Sequence, residues 1–220
     1  MADARDRYKS SDPASSIQHP ATSIQQLEIF SMKKLLKEIR KCTVCEPHLT
    51  AGCRPVLEAH PDSKMLIVGQ APGRLVHASG IPWDDKSGNN LRDWLGIDKS
   101  IFYDVSKIAI IPMGFCYPGT GKSGDLPPRK ECAPLWHGPL LAQMKSLQLT
   151  LLVGKYAQDY YLQKSAKRNL TETVRNFTEY LPEFLPLPHP SPRNNIWMKK
   201  NPWFKEEVVP FLRAWVDEAL

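Results

Sequence analysis

Three features of the 220-residue chain predict an α/β fold, a three-layer αβα sandwich around a central, mostly parallel four-stranded sheet. Four short apolar runs have strand length and are almost continuous in Leu, Ile and Val, as strands buried on both faces are. Helix-compatible stretches separate them, the alternation that a parallel sheet with crossover helices requires. Loops rich in Gly and Pro follow the runs, and such sheets bind ligands outside the carboxyl ends of their strands.

Residues 1–30 are rich in Ser, Asp, Gln and Ala with scattered apolar residues, so they are expected to form a disordered tail ahead of one domain spanning 31–220. After Ser31, a candidate cap, Met32, Leu35, Leu36 and Ile39 fall at i, i+3, i+4 and i+7 and predict an amphipathic helix running into Cys42. The strands are predicted at 65–69 (MLIVG), 108–112 (IAIIP), 149–154 (LTLLVG) and 183–188 (EFLPLP). Helices are predicted at 88–96, 129–147, 155–164 and 202–219. Twenty prolines, about twice the usual share, favour fixed turns and short helices.

The chain carries 29 Lys and Arg against 23 Asp and Glu, a net +6, and residues 1–30 contribute −1 of it. The basic body suits a polyanionic partner such as DNA. The N-terminus lacks an apolar signal segment, and no apolar run approaches the ~18 residues of a membrane span. A reduced cytoplasmic monomer is therefore expected, with no membrane contact and with its five cysteines free or bound to metal.

Four loops carry the chemistry. GTGKS at 119–123 resembles the end of a phosphate-binding loop, but Cys116 stands where that motif needs its first glycine, and GDLPPR cannot start the required helix. GQAPG, Gly69 to Gly73, lets backbone N–H groups approach a flat ligand, although a plain strand-to-helix turn reads the same way. HPSPRN, His189 to Asn194, places a histidine at a strand end before a proline-clamped loop. In a parallel sheet both loops reach the same edge, which makes the pair more informative than either motif.

Together these residues resemble the uracil-DNA glycosylase superfamily, with its Gly-x-x-Pro motif after the first strand and His-Pro-Ser after the last. The likeness is greatest to the iron-sulfur type, whose first motif reads GEAPG and whose G-x-P-F segment matches Gly80, Ile81, Pro82 and Trp83 in spacing. That type also has two cysteines three apart before the first strand and two more separated by sixteen. Here these are Cys42 and Cys45, then Cys116 and Cys132. The wording HPSPRN resembles the single-strand-selective branch.

The resemblance implies a monofunctional DNA repair glycosylase acting on a flipped-out deaminated base, uracil foremost. Trp83 would stack on the base, or pack in the core. His189 and the backbone N–H groups of Gln70 and Ala71 would stabilise charge on the departing base. Gly69, Gly73, Asn89, Ser191 and Asn194 complete the expected substrate site. Arg193 would enter the gap left by the flipped nucleotide or touch phosphate, or remain a solvated surface arginine.

Two departures stand out. Ala71 occupies the place where several branches carry the Asp or Asn that positions water, and Gln70 replaces the Glu of the iron-sulfur type and cannot act as a base. Asp84, Asp85, Asn89 and His77 are the remaining candidates for water. Pro112 replaces the Asn that reads the uracil edge, which leaves room for hypoxanthine or another deaminated base. These departures also fit a damaged-DNA binding protein with weak or no turnover, and a small-molecule α/β enzyme is a third alternative. Four thiolates accept either a [4Fe–4S] cluster or Zn²⁺. The resemblance implies the cluster on Cys42, Cys45, Cys116 and Cys132, in a structural role, with Cys53 left over as a free thiol.

Overall fold

A computed structural model of the protein describes residues 24–122 and 124–220. The order of elements is α1 (Ile24–Ile39), β1 (Met65–Val68), α2 (Arg74–Ser79), α3 (Lys86–Leu95), α4 (Lys99–Phe102), β2 (Ile108–Ile110), a short hairpin β3 (Thr120–Gly121) and β4 (Gly124–Asp125), and α5 (Cys132–Leu141). There follow β5 (Leu149–Val153), α6 (Lys155–Leu162), α7 (Leu170–Arg175), β6 (Phe184–Leu187), α8 (Asn195–Lys200) and α9 (Val209–Ala219). A π-helical turn at Phe204–Val208 leads into α9.

All four predicted strands form one parallel sheet in the order β2-β1-β5-β6. Alternate residues serve opposite faces, as the strand period of two demands. Met65 and Ile67 pack with Leu91, Phe204 and Leu212 on one side, whereas Leu66 and Val68 pack with Met32, Ile39 and Leu140 on the other. Helices therefore cover both faces, the three-layer sandwich. The chain reverses direction across the sheet between β1 and β5, and the crevice at that switch point is where ligands bind in this architecture.

Several helices differ from expectation. The first begins at Ile24, not Ser31, because IQQLEIFS is built of helix-compatible residues with no Gly or Pro to stop propagation. Residues 24–30 thus belong to the helix, and the rest of the expected tail, 1–23, lies outside the described residues. The stretch 129–147 yields helix only at 132–141, since Pro127 and Pro128 hold the preceding chain extended. Short α2, α4, α7 and α8 escape periodicity altogether. Two of them owe their starts to side-chain caps: Asp98 accepts from the Ile101 N–H, and Asn169 from that of Glu172.

Behind the sheet edge, His137 is buried and stacked on Phe115. Its Nε2 lies 3.1 Å from the Pro112 carbonyl oxygen, which can only accept, so Nε2 carries the proton and Nδ1 accepts from the Tyr161 hydroxyl at 2.7 Å. Burial pushes its pKa down to about 4, against an opposing pull from the Pro112 carbonyl. The unfolded chain therefore binds the extra proton first, and folding stability drops as pH falls from about 6.5 toward 4, by as much as about 3 kcal/mol. Denaturant unfolding at a series of pH values should show this acid limb, and His137→Gln should flatten it. Equal slopes for parent and variant would remove His137 as its source.

Candidate functional site

The first wall of the site forms where β1 ends. A Cβ on Gly69 would stand 2.8 Å from the Trp83 ring, so only glycine lets the indole lie on the strand-end backbone. Trp83 itself has φ +57°, a left-handed conformation costly for a bulky residue. Its neighbours hold it there. Gly88, at the start of α3, brings helix backbone against the Trp83 carbonyl, toward which the buried Arg92 points its guanidinium. Tyr103 donates to the Pro82 carbonyl at 3.0 Å. Asp85 caps α3 by accepting from the Gly88 N–H at 2.8 Å.

The second wall follows β6. The Ser191 N–H donates to His189 Nδ1 at 3.2 Å, so in the neutral ring the proton resides on Nε2. Burial lowers the His189 pKa, with the Asp85 charge opposing, and the ring is therefore neutral at physiological pH. Asn194 donates from Nδ2 to the His189 carbonyl at 2.7 Å, and Ser191 Oγ accepts from the Arg193 N–H. Asn90 ties the walls together by donating to the Pro190 carbonyl at 2.7 Å. The His189 and Trp83 rings are 5.7 Å apart.

The roof is the β3–β4 hairpin, which the sequence offered only as a rejected phosphate loop. Gln70 Nε2 donates to the Leu126 carbonyl at 3.0 Å and pins the hairpin end to the first motif. Its side chain is thereby occupied, while the Gln70 carbonyl accepts from the Gly114 N–H. Among the described residues, neither the Gln70 nor the Ala71 backbone N–H donates to a carbonyl. Both are available to a ligand.

These parts enclose one cavity of about 500 Å³, within the range of small-molecule sites. Gly69, Gln70, Ala71, Gly73, Trp83, Asp85, His189, Ser191, Arg193 and Asn194 all line it, together with Pro112. Asn89 does not. Its Oδ1 accepts from Arg92 at 2.6 Å, so the residue expected to bind substrate steadies the Trp83 turn instead. Asp84 and His77 also lie outside the lining; the His77 ring sits beside Tyr117. The Pro112 carbonyl accepts from His137 Nε2 at 3.1 Å.

Val56, Ser87 and Asp125 line the cavity without having been singled out in the sequence. Asp125 is a carboxylate on β4 whose pKa is raised by burial, lowered by Arg193 and raised again by Asp85. No motif signals it, because only the hairpin fold brings it to the cavity.

All five cysteines are free thiols and line one small recess with Phe115, Arg129 and Trp136. Cys53, the cysteine left over from the expected ligand set, also lines the recess. Burial pushes the Cys116 and Cys132 thiols up to about 12, and the neighbouring thiols add to this. The Phe115 N–H donates to Cys132 Sγ at 3.3 Å. The indole N–H of Trp136 is buried without a partner. Among the described residues no group of three or more His, Cys, Asp or Glu side chains is arranged to hold a metal ion. Soft sulfur donors ringing a recess that an unpartnered buried N–H also lines are nonetheless compatible with a sulfide cluster, which spreads its ligands wider than one ion does.

No helix among the described residues is long and apolar enough to cross a membrane. Residues 57–213 match the family model of the Uracil DNA glycosylase superfamily. The match takes in both motif loops, the sheet and the hairpin, and begins after Cys42, Cys45 and Cys53. Spanning more than half of the chain and every cavity-lining residue except Val56, it establishes that the protein belongs to the uracil-DNA glycosylase superfamily, whose members hydrolyse N-glycosyl bonds in DNA.

Proposed function

We propose that the protein is a monofunctional DNA repair glycosylase that removes a flipped-out deaminated base, uracil foremost. The observation that carries this reading is that one cavity is lined together by His189, whose proton sits on Nε2, by Gln70 and Ala71, whose backbone N–H groups bind no carbonyl, and by Trp83. In the proposed reaction the base stacks on Trp83 and the bond from C1′ to the base nitrogen breaks. The bonding electron pair leaves with the base. The three N–H donors stabilise the charge that develops on its carbonyl oxygen. Water adds to C1′ and passes a proton to Asp85, a sequence candidate that lines the cavity and whose charge reaches the His189 ring. No lysine lines the cavity among the described residues, which supports hydrolysis without a covalent amine intermediate.

Beside the cavity, α8 presents Lys199 and Lys200 in its last turn, and Ile196 is 69% exposed. Together with Arg193 this surface suits phosphate contact and an apolar wedge in the base stack. The test is excision from single- and double-stranded oligonucleotides bearing one uracil, one hypoxanthine or no lesion, followed by alkali cleavage. Lesion-dependent cleavage that weakens steeply with salt is expected. Lesion binding without cleavage on any substrate would replace this reading with a damaged-DNA binding protein.

The second part of the proposal is that Cys42, Cys45, Cys116 and Cys132 hold a [4Fe–4S] cluster. When bound it would supply structural cross-linking of the segment after α1 to the loop after β2 and to α5, with no chemistry on the base. All four thiols line the same recess, as does Cys53. Protein purified without air should contain about four iron atoms per chain. Cys132→Ser should lose them and Cys53→Ser should retain them, and an iron-free parent would end the cluster assignment.

A further inference from the structure

Several polar side chains of the cavity are already engaged by protein partners. Gln70 Nε2 is spent on Leu126, Asn194 Nδ2 on the His189 carbonyl, Ser191 Oγ on the Arg193 N–H and one Asp85 oxygen on the α3 cap. Pro112 offers no side-chain group, and its carbonyl is taken by His137. Asp125 is different. Its carboxyl lines the cavity and has no hydrogen bond or ion pair among the described residues. It stands 3.3 Å from where a Cβ on Gly73 would be, so the bare glycine at the end of the first motif leaves it room. Gly124 does the same for the Arg193 guanidinium, which a Cβ there would meet at 3.0 Å.

We propose that Asp125 determines specificity: its carboxylate accepts the ring N–H that deamination creates on a base. This rests on the glycosylase reading above and names what the cavity selects. Deamination turns N3 of cytosine from an acceptor into the N3–H of uracil, and N1 of adenine into the N1–H of hypoxanthine. A carboxylate, which can only accept, bonds to the product and repels the lone pair of the parent. The contact separates a deaminated base from its own parent; it does not separate uracil from thymine, which has the same N3–H. A substrate class wider than uracil follows, because the feature read is common to deaminated pyrimidines and purines.

The experiment uses the full chain, with Asp125→Asn and Asp125→Ala. Binding is measured to single-stranded oligonucleotides bearing one 2′-fluoro-2′-deoxyuridine or 2′-fluoro-2′-deoxycytidine, whose fluorine suppresses cleavage, beside excision of uracil and cytosine from the ordinary nucleotides. Losing a negative charge tightens binding to any DNA, so the readout is the uracil-to-cytosine ratio. The parent should prefer uracil by about tenfold or more, the value of one good base contact, and both variants should bring the ratio close to one. Variants that keep the parent's ratio, or a parent without preference, would overturn the assignment. If the parent binds uracil selectively through Asp125 but cleaves nothing, the assignment stands and the glycosylase reading fails.

Discussion

Replacing His189 by alanine should lower single-turnover excision by about 10²-fold or more while leaving lesion binding and the melting temperature close to those of the parent. The size follows from what the imidazole does. Its Nδ1 is held as an acceptor by the Ser191 N–H, which fixes the proton on Nε2. Burial keeps the ring neutral, so Nε2–H serves as a fixed dipole. A preoriented donor in a half-buried cavity needs no reorganisation as charge grows on the departing base, and losing one such donor typically costs about 3 kcal/mol of transition-state stabilisation. The Gln70 and Ala71 N–H groups remain, so activity should be reduced and not abolished. A variant that excises as fast as the parent would take His189 out of the chemistry.

The second large effect is expected from Gly88→Ala, at a residue that touches the cavity only through its neighbour. The added Cβ would lie 1.7 Å from the Trp83 carbonyl oxygen, a backbone atom that cannot rotate aside. Either the first turn of α3 or the Trp83 turn must move. Overpacking of this kind costs about 3 kcal/mol, and a lowered melting temperature should report it. The same shift displaces the Trp83 ring, whose seat on Gly69 has no slack. Base stacking on an aromatic ring contributes about 1–3 kcal/mol, so excision should fall about tenfold to a hundredfold at temperatures where the variant stays folded. Parent-like melting and rate would mean that α3 packs less tightly on Trp83 than these distances require.

The chain's own residues determined the sheet and the two motif loops. Strands buried on both faces must be continuous in apolar residues, so 65–69, 108–112, 149–154 and 183–188 could be read directly. Parallel strands place all their carboxyl ends at one edge, so GQAPG and HPSPRN were bound to meet. The short helices α2, α4, α7 and α8 carry too few turns to show a period. What only the tertiary structure decided are the contacts between distant segments. The β3–β4 hairpin delivers Asp125 to the cavity, His137 claims the Pro112 carbonyl, and Cys53 joins the other four thiols. In each case the partner lies on another element or in a loop without periodicity. The physical reason is that patterning records which face of an element is buried, whereas a hydrogen bond or a cavity wall depends on where two separately folded segments come to rest.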